Sequence, residues 1–79
     1  MKYDGLTFGQ ALQMARQEKG LQKKDVAKLF QWTPMYYGRF ENDYLIPVKG
    51  NWEKFASFLG ISIKELEVLV ERTRKLSLF

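Results

Sequence analysis

The chain has 79 residues, 46% of them apolar and 15% aromatic, which is enough for one small packed domain. It contains neither cysteine nor histidine. Disulfides, thiolate metal sites, the usual general base and the commonest metal ligand are therefore excluded, and most catalytic designs with them, so no enzyme, metal or cofactor is expected. The formal charge is +4. The opening residues lack the basic flank and long apolar core of a signal peptide, and no apolar run is long enough to span a bilayer. A cytoplasmic protein with no membrane contact is expected.

Residues 1–6 show no periodicity and read as a loosely held arm. Thr7-Phe8-Gly9-Gln10 then fits a capping box, and a first helix follows to about Glu18 with Phe8, Ala11, Leu12 and Ala15 on one face. Lys19-Gly20 closes it, because glycine enters a left-handed C-terminal turn without steric cost.

A second helix, about Lys23 to Phe30, turns Val26, Ala27 and Phe30 inward. Lys23 and Lys24 stand at the positive end of its dipole, an unfavourable placement of about 0.3–1 kcal/mol per charge that suits a helix expecting an anion. A tight corner follows at Gln31-Trp32-Thr33. Thr33 caps a third helix, about residues 34–41, and Pro34 fits its first position, where a missing N–H does no harm. In that helix Tyr37 and Phe40 are expected inward, and Pro34, Met35, Tyr36, Gly38, Arg39 and Asn42 outward.

Residues 43–50 read as a loop around Pro47. A fourth helix presents Trp52, Phe55, Ala56 and Leu59 at helical spacing and ends at Gly60, an aromatic stripe that belongs to a core. Ser62-Ile63-Lys64-Glu65 is a second capping box, opening a fifth helix to about Lys75 with Ile63, Leu66, Leu69 and Val70 available for burial. The fold class expected is all-α, a bundle of five short helices over residues 7–75, with an apolar tail at 76–79.

Two short helices meeting at a tight corner over residues 22–42 form a helix-turn-helix unit, whose second helix can lie in a DNA major groove. The charge points the same way. Between Arg16 and Arg39 stand six basic residues (Arg16, Lys19, Lys23, Lys24, Lys28 and Arg39) against two acidic ones, Glu18 and Asp25. The other seven basic and seven acidic residues cancel, so the whole excess lies on the feature that would meet phosphates.

From Phe8 to Leu66 the sequence resembles the phage repressor and Cro type of helix-turn-helix domain, the XRE family of the lambda-repressor-like fold. The residues that carry the likeness are Arg16-Gln17-Glu18-Lys19-Gly20-Leu21, the small Ala27, the apolar Phe30, Trp32, Tyr37 and Phe40, and Leu59-Gly60-Ile61-Ser62 with Glu65-Leu66. The resemblance implies double-stranded DNA as partner, a bacterial or phage transcriptional regulator, most simply a repressor, and binding as a homodimer. It implies base contacts from Pro34, Met35 and Arg39, phosphate contacts from Lys23 and Asn42, and a structural ion pair between Arg16 and Glu41. Lys24, Lys28, Tyr36 and Lys49 join the phosphate set on charge and position.

Three positions depart from the family pattern. Gln31 stands where glycine is usual and is expected in a left-handed conformation. Pro34 and Met35 replace polar readers; neither forms the bidentate hydrogen bonds that read adenine or guanine, although both can contact a thymine methyl. Val68, Leu69, Leu76, Leu78 and Phe79 exceed the needs of a small core and are candidates for a dimer surface. The competing reading is a protein-binding module on the same fold, such as an antirepressor or a regulator of another repressor, for which the run from Pro34 to Tyr37 offers an apolar, aromatic surface.

Overall fold

The computed structural model describes residues 2–76. Five α-helices follow in order: α1 (Phe8–Glu18), α2 (Lys23–Leu29), α3 (Pro34–Glu41), α4 (Trp52–Leu59) and α5 (Ile63–Leu76), with a single 3-10 turn at Lys49–Asn51 leading into α4. No strand occurs among the described residues.

All of α1 to α4 stop in the same way. One residue in the left-handed region donates to the carbonyl three positions back, and the next residue donates five positions back, as in a Schellman motif. At α1 these donors are Gly20 and Leu21, at α2 Gln31 and Trp32, at α3 Asp43 and Tyr44, and at α4 Gly60 and Ile61. The left-handed residues have φ of 70° at Gly20, 61° at Gln31, 61° at Asp43 and 71° at Gly60. Gln31 thus adopts the conformation expected of it. Asp43, inside the stretch read as a plain loop, is a second side chain in glycine's place.

The start of α1 is satisfied completely. A helix leaves four N–H groups without internal partners. Here Thr7 donates to the Gln10 side chain, Phe8 to Thr73 Oγ1 of α5 at 2.8 Å, Gly9 to Asp43 Oδ1 at 2.8 Å, and Gln10 to Thr7 Oγ1. Two of the four partners come from elsewhere in the chain, so the cap also joins α1 to α3 and α5.

The core contains Phe8, Leu12, Val26, Phe30, Tyr37, Phe40, Phe55, Leu59, Leu66, Leu69 and Val70. Tyr3 belongs to it as well. Its ring is fully buried and its hydroxyl donates to Leu59 O, while Arg72 donates to the carbonyls of Tyr3 and Leu6. Tyr3 and Leu6 are therefore tied to α4 and α5, and the segment is not a loosely held arm. Ile63 departs from expectation in the other direction: it begins α5 with its side chain 42% exposed.

Candidate nucleic-acid interface

The corner between α2 and α3 is fixed by one side chain. Trp32 lies between Phe30 and Phe40, with ring centres 5.0 and 5.1 Å away and both neighbours nearly parallel to it. Phe30 and Phe40 in turn pack on Phe55 of α4. Such aromatic pairs contribute about 0.5–1.5 kcal/mol each beyond burial. The stack therefore holds α2 and α3 at one angle to each other and to the core.

Two further contacts set the far end of α3. Arg16 of α1 meets Glu41 through two hydrogen bonds, Nε to Oε2 at 2.6 Å and Nη2 to Oε1 at 3.3 Å, and its Nη1 donates to Leu21 O at the α1–α2 turn. The Glu41 side chain is 2% exposed and that of Arg16 12%. The hydrogen bond to Glu41 raises the Arg16 pKa, so the guanidinium keeps its proton. The Tyr37 hydroxyl is buried beside this pair and has no hydrogen-bond partner among the described residues. Burial, reinforced by the Glu41 carboxylate, pushes its pKa up from 10.0.

The second contact is Asp43. Its Oδ1 accepts from Gly9 N, and its Oδ2 accepts from the Thr7 hydroxyl at 2.6 Å. The end of α3 approaches α1 so closely that a Cβ on Gly9 would lie 2.4 Å from Glu41 O and 2.7 Å from Phe40 O. The negative end of α3 and the Asp43 carboxylate thus meet the positive start of α1, a favourable arrangement of dipoles and charge.

Held in this way, α3 divides cleanly. Tyr37, Gly38, Phe40 and Glu41 are buried. Gly38 was expected outward and is not; it sits on the flank of the helix, yet a Cβ there would meet nothing. Tyr36 is 39% exposed, with its ring set edge-on to Trp32 and Phe40. Pro34, Met35 and Arg39 stand outside, Met35 at 73% exposure. Asn42, the residue that ends α3, is exposed too.

Lys23, Lys24 and Lys28 on α2 and Lys49 in the 3-10 turn are exposed. Among the described residues no ion pair or hydrogen bond engages the side chains of Lys23, Lys24, Lys28 or Arg39. Arg16 and Lys19 differ. Arg16 is committed to Glu41, and the Lys19 ammonium lies 5.3 Å from the centre of the Phe58 ring. The start of α2 is less strained than its lysines suggest, because the Asp25 carboxylate accepts from Gln22 N and restores an acid to the first turn.

The dimer candidates separate. Leu69 is fully buried in the core and cannot face a partner, because it lies on the side of α5 that packs against the rest of the bundle. Val68 and Leu76 are exposed and line an open hollow along α5 with Lys64, Glu67, Glu71 and Lys75. Leu78 and Phe79 lie outside the described residues.

Asp43, Thr73, Asp25 and Arg72 escape a reading of motifs. Asp43 had a signal in its residue type, since aspartate and asparagine enter the left-handed region more readily than other side chains. Thr73 had none, being joined to Phe8 across 65 positions.

No group of acidic residues that could hold a metal occurs among the described residues, and no helix of theirs is long and apolar enough to cross a membrane. No curated protein and no solved structure matches the chain. A family model described as helix-turn-helix matches residues 12–66, the span that contains α2, the corner, α3 and α4. The exposed face of α3, its stacked corner and this match place the chain in the XRE family of helix-turn-helix proteins, a family of DNA-binding regulators.

Proposed function

We propose that the protein binds double-stranded DNA in a sequence-specific manner and regulates transcription in the cytoplasm, acting as a repressor, with α3 in the major groove. The observation that carries this reading is the outer face of α3. Met35 and Arg39 project from it while both ends of the helix are locked to the core, so a rigid helix presents unengaged side chains beside the lysines of α2. Arg39 reads guanine, since its planar fork matches the O6 and N7 acceptors. Lys23, Lys24, Lys28, Tyr36, Asn42 and Lys49 hold phosphates, which supplies affinity and register rather than sequence information. The operator is two-fold and is met by a homodimer whose subunits touch through the Val68 and Leu76 side of α5.

Selection of bound sequences from a random DNA pool at moderate salt tests the reading. One sequence class should enrich, and its affinity should fall steeply with salt. Arg39→Ala should cost about 1–3 kcal/mol and relax preference at one base pair. Failure to enrich any sequence would reject DNA recognition. The exposed Met35 beside Pro34 favours one second reading, a protein-binding module such as an antirepressor, whose complex would be nearly indifferent to salt.

A further inference from the structure

Five of the eight residues of α3 are accounted for by the fold. Tyr37, Gly38, Phe40 and Glu41 are buried, and the Tyr36 ring is laid against Trp32 and Phe40. What remains for a groove is one guanidinium, that of Arg39, and two apolar groups, Met35 and Pro34. Neither apolar residue has a side-chain donor, and Pro34 has no backbone N–H either.

A helix with this outer face has one means of recognition besides the guanidinium. Pro34 has no polar side-chain group and Met35 only a weakly accepting thioether, so neither reads a base by strong hydrogen bonds, and the only apolar group on a base edge in the major groove is the 5-methyl of a pyrimidine. Met35 and Arg39 are one helical turn apart on the same face. That separation is about 6 Å along the axis, less than two base steps of about 3.4 Å. Methionine is unbranched and adaptable, so it reaches a methyl over that range.

We infer, on the basis of the DNA-binding reading above, that the site recognised by α3 requires a pyrimidine 5-methyl group within two base pairs of the guanine read by Arg39, contacted by Met35 with Pro34 beside it. Thymine and 5-methylcytosine share this group. The half-site is therefore defined by one guanine and a methyl rather than by a series of hydrogen-bonded bases.

The test begins with the sequence enriched from a random pool and with the guanine whose preference is lost in Arg39→Ala. Each thymine within two base pairs of it is replaced by deoxyuridine, which removes the methyl alone. The parent should weaken at one such position at least, by about fourfold for a single methyl withdrawn from water. Cytosine placed there should bind weakly, and 5-methylcytosine should recover the difference. Met35→Gln keeps a flexible helix-forming side chain at an exposed position and should abolish the response to both changes.

Three results overturn the inference while leaving DNA recognition standing: an enriched site with no thymine in that window, deoxyuridine substitutions that leave affinity unchanged throughout it, or a methyl response that persists undiminished in Met35→Gln. A pool that enriches nothing overturns the DNA reading itself and the inference with it.

Discussion

Gln31 and Asp43 occupy the same backbone conformation for different reasons. Among the described residues no hydrogen bond of the Gln31 side chain offsets its positive φ, whereas the Asp43 carboxylate accepts two hydrogen bonds at the start of α1. Gln31→Gly should therefore raise stability by about 0.5–1 kcal/mol in denaturant unfolding. Asp43→Ala should lower it by about 2 kcal/mol or more, losing a helix cap and keeping the strain. Asp43→Gly loses the same hydrogen bonds but relieves the strain, and should fall between Asp43→Ala and the parent. Tyr37 supplies a prediction in pH. Its pKa in the folded protein lies above the unfolded value of 10.0, so its neutral form contributes stability that is fully present below pH 10 and lost as pH rises beyond it. Between pH 10 and 11 the parent should lose up to about 1.4 kcal/mol more than Tyr37→Phe. Near neutrality the phenylalanine variant should be at least as stable, because the hydroxyl it lacks is buried with no hydrogen-bond partner among the described residues.

Helices rather than residues are what the sequence made easy to read. Capping boxes at Thr7 and Ser62, the proline that opens α3 and glycines after α1 and α4 mark boundaries through chemistry confined to a few neighbouring positions. Contacts between distant elements left no such mark. The burial of Tyr3 depends on α4 and α5, and the buried flank of Gly38 depends on how α3 is seated. Met35 and Arg39 were legible as outward because the helical period sets them away from Tyr37 and Phe40, whereas Pro34 is exposed as the first residue of the helix. Leu69 was assigned both to the core and to a partner surface, because its apolar neighbours Val68 and Val70 make the two sides of α5 hard to distinguish, and only the core assignment holds. Gly38 offers a test at this scale. It weakens an eight-residue helix, and nothing occupies the space a methyl would take, so Gly38→Ala should stabilise the domain by about 0.5–1 kcal/mol on thermal unfolding. Gly9→Ala should do the opposite by about 3 kcal/mol or more, since its methyl would meet backbone oxygen.

Across the whole molecule, the excess positive charge narrows on folding to a smaller set of side chains. Arg16 turns inward to Glu41 and Lys19 settles over Phe58, leaving Lys23, Lys24, Lys28 and Arg39 around α2 and α3 with no ion pair or hydrogen bond among the described residues. Replacing Lys24 and Lys28 by glutamine should reduce the salt dependence of DNA binding by about two counterions while leaving the selected sequence unchanged, as filter binding across a salt series would show. The start of α1 bears on motion. First turns of helices ordinarily fray, and their amides exchange with solvent in local openings. The amides of Phe8 and Gly9 donate instead to Thr73 and Asp43, 65 and 34 positions away. They can be freed only by separating α1 from α5 and from the end of α3. Native-state hydrogen exchange should accordingly find these two amides among the slowest in the protein, exchanging only when the entire chain opens, and Asp43→Gly should release Gly9 before Phe8.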